Sequence, residues 1–316
     1  MTPLTSTEWI TSFLRRDPPR SKSLVMTIFG DTIAPHGGAI WLGSLIDLLA
    51  PFGVNDRLLR TSVFRLAQEG WLVANRDGRR SAYAILPGAQ TRFERANRRI
   101  YAPLAAHWDG SWTLLLSAGA GIDAPERAAL RKELLWEGYA MIGPGIFGHP
   151  ASQADVLEEL LVRNRLQGKL FVCTASTLAG VSARPLQELV AEGWDLSAVV
   201  VGYENFIAQF APLLASLESP ASVQPPGAAA ALAPEQAFVI RTLLIHAYRR
   251  VQLHDPMLPV ELLPDPWPGA GAYALARALY RYTQAAAEAY IMTVLRRESE
   301  QAPAADAAFF RRFGGL

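Results

Sequence analysis

Arg57, Arg60, Thr61, Phe64, Arg65 and Gln68 fall within one short stretch, and Arg76, Arg79 and Arg80 follow a few residues later. A guanidinium offers forked donors that fit phosphate oxygens or the O6 and N7 atoms of guanine. Thr and Gln can bond base edges, and a phenyl ring can meet a thymine methyl. Together these side chains could perform the chemistry of nucleic-acid recognition. The elements that carry them decide whether they face one way.

At about 100° per residue, Leu59, Val63 and Leu66 fall on one side of a helix and the six residues from Arg57 to Gln68 on the other. Asn55 is a suitable N-cap and Gly70 a C-terminal stop, which predicts a helix over 55–70 with one buried and one cationic stripe. Residues 71–85 alternate apolar and polar around Asp77-Gly78. That dipeptide suits the positive φ angles of a two-residue turn, so a hairpin is expected with Arg76, Arg79 and Arg80 at its tip. A cationic helix followed by such a hairpin is the order of parts in a winged helix-turn-helix, whose helix enters the major groove while the wing lies along backbone or minor groove. Three arginines on an isolated helix could equally be its solvated face; the adjoining basic hairpin favours DNA.

A second group stands in the C-terminal half. The stretch 234–253 is apolar almost all round, as a core helix is, yet it carries Arg241, His246, Tyr248, Arg249 and Arg250. Charges there need partners or a ligand, because burying them alone is costly. Asp255, Glu261 or Asp265 in the Pro-rich segment that follows could pair with them. Alternatively, Arg249 and Arg250 could clamp a phosphate-bearing ligand, with His246 beside them and Tyr203, Tyr248 and Trp267 as walls.

At 316 residues, 50% of them hydrophobic and 19% charged, the chain suggests two or three globular domains. Its net charge of +1 hides an asymmetry, since residues 1–103 hold 14 Lys+Arg against 8 Asp+Glu and the remainder 16 against 21. The positive charge belongs to the end that carries the basic helix and hairpin. One cysteine, Cys173, excludes an intramolecular disulfide framework, and no Cys/His set has zinc-ligand spacing, so no metal or other cofactor is expected. The first residues do not read as a secretory signal, and no uncharged apolar run reaches about 18 residues; the closest, 196–217, is interrupted by Glu204. These features predict a cytoplasmic protein without a membrane partner.

In chain order, residues 7–16 predict an amphipathic helix with Trp9, Ile10, Phe13 and Leu14 on one side, packed on a neighbour or on a second protomer. Residues 23–33 predict the first helix of the winged-helix core, 39–41 a short strand, 43–49 the second helix, and 91–101 a helix with Arg92, Arg95, Arg98 and Arg99 on one side. His36, in a Gly-rich turn, reads as a loop residue. From Trp108 the rhythm changes to strand (112–116), helix (125–136), strands (139–142 and 145–147), helix (155–163) and strand (169–174), the order of a ferredoxin-like βαββαβ unit. Its strand ends lack the carboxylates a metal nuclease would need, which makes it a scaffold. Helices follow at 184–192, 196–217, 234–253 and 271–297, with a flexible Ala-Pro-rich connection at 219–234 and a short tail at 309–316. The expected architecture is therefore α+β and multidomain: a winged helix-turn-helix in 1–103, a ferredoxin-like domain in 104–176 and a mainly helical domain in 177–316.

Four stretches carry a resemblance: Gly37-Gly38-Ala39-Ile40-Trp41-Leu42-Gly43-Ser44-Leu45; Arg60-Thr61-Ser62-Val63-Phe64-Arg65-Leu66 with Glu69-Gly70-Trp71-Leu72; Leu244-Ile245-His246-Ala247-Tyr248-Arg249-Arg250-Val251; and Asp255-Pro256-Met257-Leu258-Pro259 with Glu261-Leu262-Leu263-Pro264. In this order they resemble the PaaX family, repressors of bacterial phenylacetic-acid degradation, over nearly the whole chain. The resemblance implies a cytoplasmic homodimer that binds double-stranded operator DNA and leaves it on binding phenylacetyl-coenzyme A. The alternative from another class is an acyl-coenzyme A-metabolising enzyme with an incidental basic N-terminal half. Against it, the sequence has no Gly-x-Ser-x-Gly elbow, no Cys with an evident His partner and no phosphate-cradling Gly-rich loop.

Overall fold

The computed structural model describes residues 5–103, 107–117, 121–178, 180–181, 183–219 and 232–316. The elements begin with α1 (Ser6–Arg16), α2 (Ser21–Ile28), β1 (Ala39–Trp41), α3 (Leu42–Leu49), α4 (Asp56–Gln68), β2 (Leu72–Asp77), β3 (Arg80–Ile85) and α5 (Gln90–Tyr101). They continue with β4 (Ser111–Leu116), α6 (Ala124–Trp136), β5 (Ala140–Gly143), β6 (Ile146–His149), α7 (Ala154–Arg163), β7 (Phe171–Ser176), α8 (Leu186–Gly193), α9 (Ser197–Leu217), α10 (Pro234–Gln252) and α11 (Gly269–Arg296). They form two compact units: Met1–Pro103 with Tyr203–Leu253 and Gly271–Leu316, and Leu104–Gly202 with His254–Ala270. Helices of the C-terminal third thus fold together with the N-terminal hundred residues. Most of the predicted Ala-Pro-rich connection, 220–231, lies outside the described residues, as do Ala118 and Gly119 beyond the first strand of the second unit.

In the first unit, α4 is capped as its sequence predicts. Asn55 Oδ1 accepts from Leu58 N at 2.9 Å, and Gly70 follows in the left-handed region. Leu59, Val63 and Leu66 are buried against α2 and α3. Two further ties fix α4 on α2: Ser62 Oγ donates to Ser21 Oγ at 2.9 Å in the core, and Lys22 meets Glu69 at 2.5 Å on the surface. The helix expected over 23–33 ends earlier, at Ile28, and continues as a π-helical turn, Phe29–Ile33, and a 3-10 turn, Ala34–His36. Pro35, which has no N–H to extend a ladder, lies in the second turn. The three strands pair antiparallel in the order β1-β3-β2. Because Asp77 pairs with Arg80, the two-residue loop is Gly78-Arg79, one residue later than the Asp77-Gly78 reading. Among the described residues of the loop only Gly78 has a positive φ, as a turn with glycine at its first central position requires.

The predicted amphipathic face of α1 is covered within the chain. Trp9 and Phe13 pack on Phe210 of α9 with ring centroids 5.2 and 5.6 Å away, and Trp9 Nε1 donates to the Gln209 carbonyl at 3.1 Å. By length and composition α9 does qualify as a membrane-crossing helix, despite Glu204. Tyr203, Phe206, Phe210 and Leu213 are buried in the first unit, while Val201 is exposed and only 28% of the apolar window is buried. The C-terminal tail is also core: Phe309 and Phe313 are buried, with Arg312 between them. A short apolar segment that reads as a tail is held by the aromatic rings of Tyr101, Tyr273 and Tyr280.

A polar network crosses this core. Asp31, in the π-helical turn, accepts from Tyr101 Oη (2.7 Å), Tyr280 Oη (2.8 Å) and Arg312 (3.0 Å), and pairs with Arg241 Nε (3.1 Å). Arg241, fully buried, also meets Glu288 at 2.6 Å, and Glu288 meets His36 Nε2 at 3.0 Å. Two carboxylates thus face two guanidiniums, so the interior carries little unbalanced charge from them. Burial alone would raise the Glu288 carboxyl, but the His36 hydrogen bond and Arg241 outweigh it and hold it down to about 2. His36 is therefore a buried network member, not the loop residue its Gly-rich context suggests.

The second unit has a four-stranded antiparallel sheet in the order β5-β6-β4-β7, with strands and helices alternating along the chain as strand, helix, two strands, helix, strand. One core joins Leu115 and Phe147 of the sheet to Leu130, Leu134, Leu157 and Leu160 of α6 and α7. Another joins Trp112 and Ala140 to Val190, Trp194 and Leu262. Gly138 has φ +91, and a Cβ there would collide with the Pro256 carbonyl, so the approach of this segment requires glycine.

Candidate nucleic-acid interface

All six side chains that the periodicity puts opposite the buried stripe of α4 are exposed: Arg57, Arg60, Thr61, Phe64, Arg65 and Gln68. Arg60 pairs with Asp56 one turn earlier at 2.8 Å, both more than half exposed. Such a pair contributes about 0–1 kcal/mol and can be exchanged for a phosphate at small cost. Thr61 Oγ1 donates to the Arg57 carbonyl at 2.9 Å, which leaves its lone pairs outward. Arg76 and Arg79 on the hairpin are exposed as well. Arg80 is exposed too, its side chain 51% accessible, but it is engaged: its guanidinium lies over the Trp41 ring at 4.2 Å and donates to the Glu298 carbonyl at 3.3 Å. The basic side expected of the 91–101 helix is broken, because Arg95 is buried while Phe93, Ile100 and Tyr101 make the inward face.

Phe64 is 59% exposed on this face and adds no packing to the core. Phe64→Ala is therefore expected to leave the melting temperature within about 2 °C, far from the several degrees a core Phe costs, while weakening DNA binding. A drop of several degrees would show that the ring is structural.

The second predicted group is brought together in part. His246, Tyr248 and Tyr203 are buried, Arg249 is partly buried and Arg250 exposed; Trp267 belongs to the second unit. The partners of the arginines are not Asp255, Glu261 or Asp265. Arg249 donates to Thr27 Oγ1 (3.1 Å) and the Ser23 carbonyl (3.3 Å), and Arg250 meets Asp17 at 3.3 Å. His246 Nδ1 shares a 3.0 Å hydrogen bond with Thr27, and Tyr203 Oη donates to Gln252 at 2.6 Å. The reason is topological: α2 packs on α10, which puts its hydroxyl and carbonyl within reach, whereas the Pro-rich acidic segment folds into the other unit. One helix thus links α10 to α4, through Ser23 and Thr27 on one side and Ser21 and Lys22 on the other.

Burial, with Arg249 and Arg250 nearby, pushes the His246 imidazole from its ordinary 6.5 down to about 3. The unfolded chain binds the proton across that window and the folded chain does not. The contribution of neutral His246 is therefore complete above about pH 6.5 and lost as pH falls toward 3. His246→Gln is expected to flatten the fall in melting temperature between pH 6.5 and 4; a slope equal to that of the unsubstituted protein would contradict this.

In the second unit a cleft of about 920 Å³ lies between α8 and residues 260–265, floored by Trp194 and Leu262 and rimmed by Glu192, Asp195, Glu261 and Asp265. Its four carboxylates would repel a polyphosphate. Sequence reasoning missed it because its two walls are about seventy residues apart. Among the described residues no group of three or more His, Cys, Asp or Glu could hold a metal ion.

A mixed helix-and-sheet, multidomain regulator is the class that a basic helix and hairpin joined to a helical core and a separate sheet unit suggests, and the comparisons bear on it directly. Family models match three segments: PaaX-like protein over residues 20–86, PaaX protein central Cas2-like domain over 105–187, and PaaX-like protein C-terminal domain over 194–293. The transcriptional repressor PaaX of Escherichia coli (strain K12) is 37% identical over 299 residues, 95% of this chain and 92% of that protein. The chain belongs to the PaaX family. A solved structure, the uncharacterized protein Rv0674 from Mycobacterium tuberculosis, aligns with a TM-score of 0.47 at 25% identity, covering 84% of this chain and 98% of that one.

Proposed function

We propose that the protein is a DNA-binding transcriptional repressor of phenylacetic acid catabolic genes, released from its operator by phenylacetyl-coenzyme A. The observation that carries the reading is the exposed cationic face of α4 beside a basic hairpin, in a chain 37% identical over 95% of its length to a transcriptional repressor. The function is regulatory, not enzymatic. In this reading α2 to β3 is a winged helix-turn-helix with α4 as recognition helix and β2-β3 as wing, and the second unit a ferredoxin-like scaffold. The chain divides functionally into 1–103, 104–176 and 177–316. It acts as a cytoplasmic homodimer, presenting two α4 helices to half-sites about 34 Å apart or a multiple of that. No cofactor takes part; the acyl-coenzyme A is an effector.

For the effector we assign the outer end of α10. Arg250 is exposed and, among the described residues, is held by the surface pair with Asp17 alone, so a ligand phosphate can take it over. Arg249, His246, Tyr248 and Tyr203 belong to the same unit as Arg250. A ligand that draws on Arg249 competes with Ser23 and Thr27, and so acts on the helix that supports α4. Release requires that the ligand bind the non-matching conformation more tightly than the operator-matching one. Calorimetry on Arg250→Ala is expected to show phenylacetyl-coenzyme A affinity reduced about ten-fold or more, the loss of one charge-assisted contact; unchanged affinity would remove α10 from the effector site.

A gel shift tests the DNA reading itself. The duplex upstream of the phenylacetate catabolic genes should be retarded at protein concentrations at least a hundred-fold below those needed for a scrambled duplex of equal length. Equal retardation of both would reject a sequence-specific repressor.

A further inference from the structure

The stretch Gly37 to Ser44, which α4 and the hairpin do not by themselves explain, is a seat for the last turn of α11 and the non-helical segment that follows it. Pro303 lies over Gly37, where a Cβ would come within 3.1 Å of its ring. The Pro35 carbonyl accepts from Asp306 N at 3.0 Å. Ser44 Oγ reaches the Val294 carbonyl at 3.4 Å, and Asp47 pairs with Arg297 at 2.9 Å. At the centre of the seam, the Glu298 carboxylate occupies the space above Gly43 that any side chain there would fill. From that position it faces Arg80, which is 3.6 Å from Glu298 Oε2, donates to the Glu298 carbonyl at 3.3 Å and lies over Trp41 at 4.2 Å. The β-sheet register explains the meeting. Trp41 is opposite Ala82, and Arg80, two residues along β3, projects from the same face.

We propose that Glu298 is the counter-charge that holds Arg80 on Trp41 and off the DNA backbone, leaving Arg79 as the phosphate contact at the hairpin tip. This rests on the reading that the hairpin lies along DNA. A guanidinium stacked on an indole, with its edge on a carbonyl and beside a carboxylate, is engaged on the protein, and the pair presents no net charge to a phosphate. Arg79 next to it is exposed and, among the described residues, has no ion-pair partner. The segment after α11 thereby sets how many cations the hairpin offers. A shift of that segment would release a further one.

The salt dependence of operator binding reads this directly, because each phosphate neutralised contributes about 0.9 to the slope of log K against log salt. Arg79→Ala is expected to lower the slope by about one, and Arg80→Ala to leave it within error. Glu298→Gln is expected to steepen it by up to about one and to tighten binding at low salt, an effect absent from the Glu298→Gln/Arg80→Ala protein. Gly43→Ala, whose methyl displaces the flexible carboxylate while favouring the helix, should reproduce Glu298→Gln. A slope unchanged by Glu298→Gln while Arg79→Ala lowers it overturns the proposal. So does a gain that persists without Arg80, which would be a general charge effect. If Arg79→Ala and Glu298→Gln both leave the slope unchanged, the hairpin is away from the duplex, and the wing reading falls together with the proposal.

Discussion

Operator affinity of an Arg60→Ala/Arg65→Ala protein is expected to fall by roughly 2–6 kcal/mol, the sum of two base-edge contacts at about 1–3 kcal/mol each. Both side chains are exposed on α4, and neither packs in the core, so the melting temperature should stay within about 2 °C of the unsubstituted value, as surface changes do. Each single replacement should also relax preference at one position per half-site. A loss shared equally by all sequences would instead make the two arginines backbone contacts. Undiminished operator binding by the folded double variant would remove α4 from the interface.

The largest stability effect is expected at Asp31→Ala. That carboxylate accepts from two tyrosine hydroxyls and the Arg312 guanidinium and is ion-paired with Arg241, all in a buried position. Its removal leaves Arg241 and Arg312 with Glu288 as the remaining carboxylate of the network. Breaking a buried pair in this way costs about 3–5 kcal/mol, or roughly 6–20 °C in melting temperature for a unit of this size. DNA affinity measured well below the transition should change little, because no member of the network lies on the exposed face of α4. A melting temperature within about 2 °C of the unsubstituted protein would mean that the network contributes nothing net.

What could be read from the sequence follows the range of the interactions. The α4 face was legible because its buried and exposed residues alternate at helical spacing within thirteen consecutive positions, with Asn55 and Gly70 as end signals. The hairpin was legible to within one residue: the glycine was identified, but whether it opens or closes the loop depends on the pairing of Asp77 with Arg80. The need for partners at Arg241, Arg249 and Arg250 was legible from an apolar helix carrying charges. Their identities were not, because Asp31, Glu288, Ser23, Thr27 and Asp17 lie 47 to 233 residues away, on elements that no local period connects. The same holds for Phe309, Arg312 and Phe313, whose burial depends on α5 and α11, and for His36, whose Gly-rich surroundings suggest a loop while Glu288 draws it inward. The seat for Glu298 left one local trace, the glycine at position 43 inside a helix, where alanine would be the better helix former.

The proposed repressor forms an operator complex that phenylacetyl-coenzyme A dissolves. Fluorescence anisotropy of labelled operator, held half-saturated with protein at fixed salt and titrated with the thioester, tests it in one measurement. A saturable fall to the value of free DNA is expected, with coenzyme A alone and phenylacetate alone leaving the complex intact at equal concentration. Anisotropy unchanged by the thioester up to millimolar concentration, or an equal fall with free coenzyme A, would contradict it.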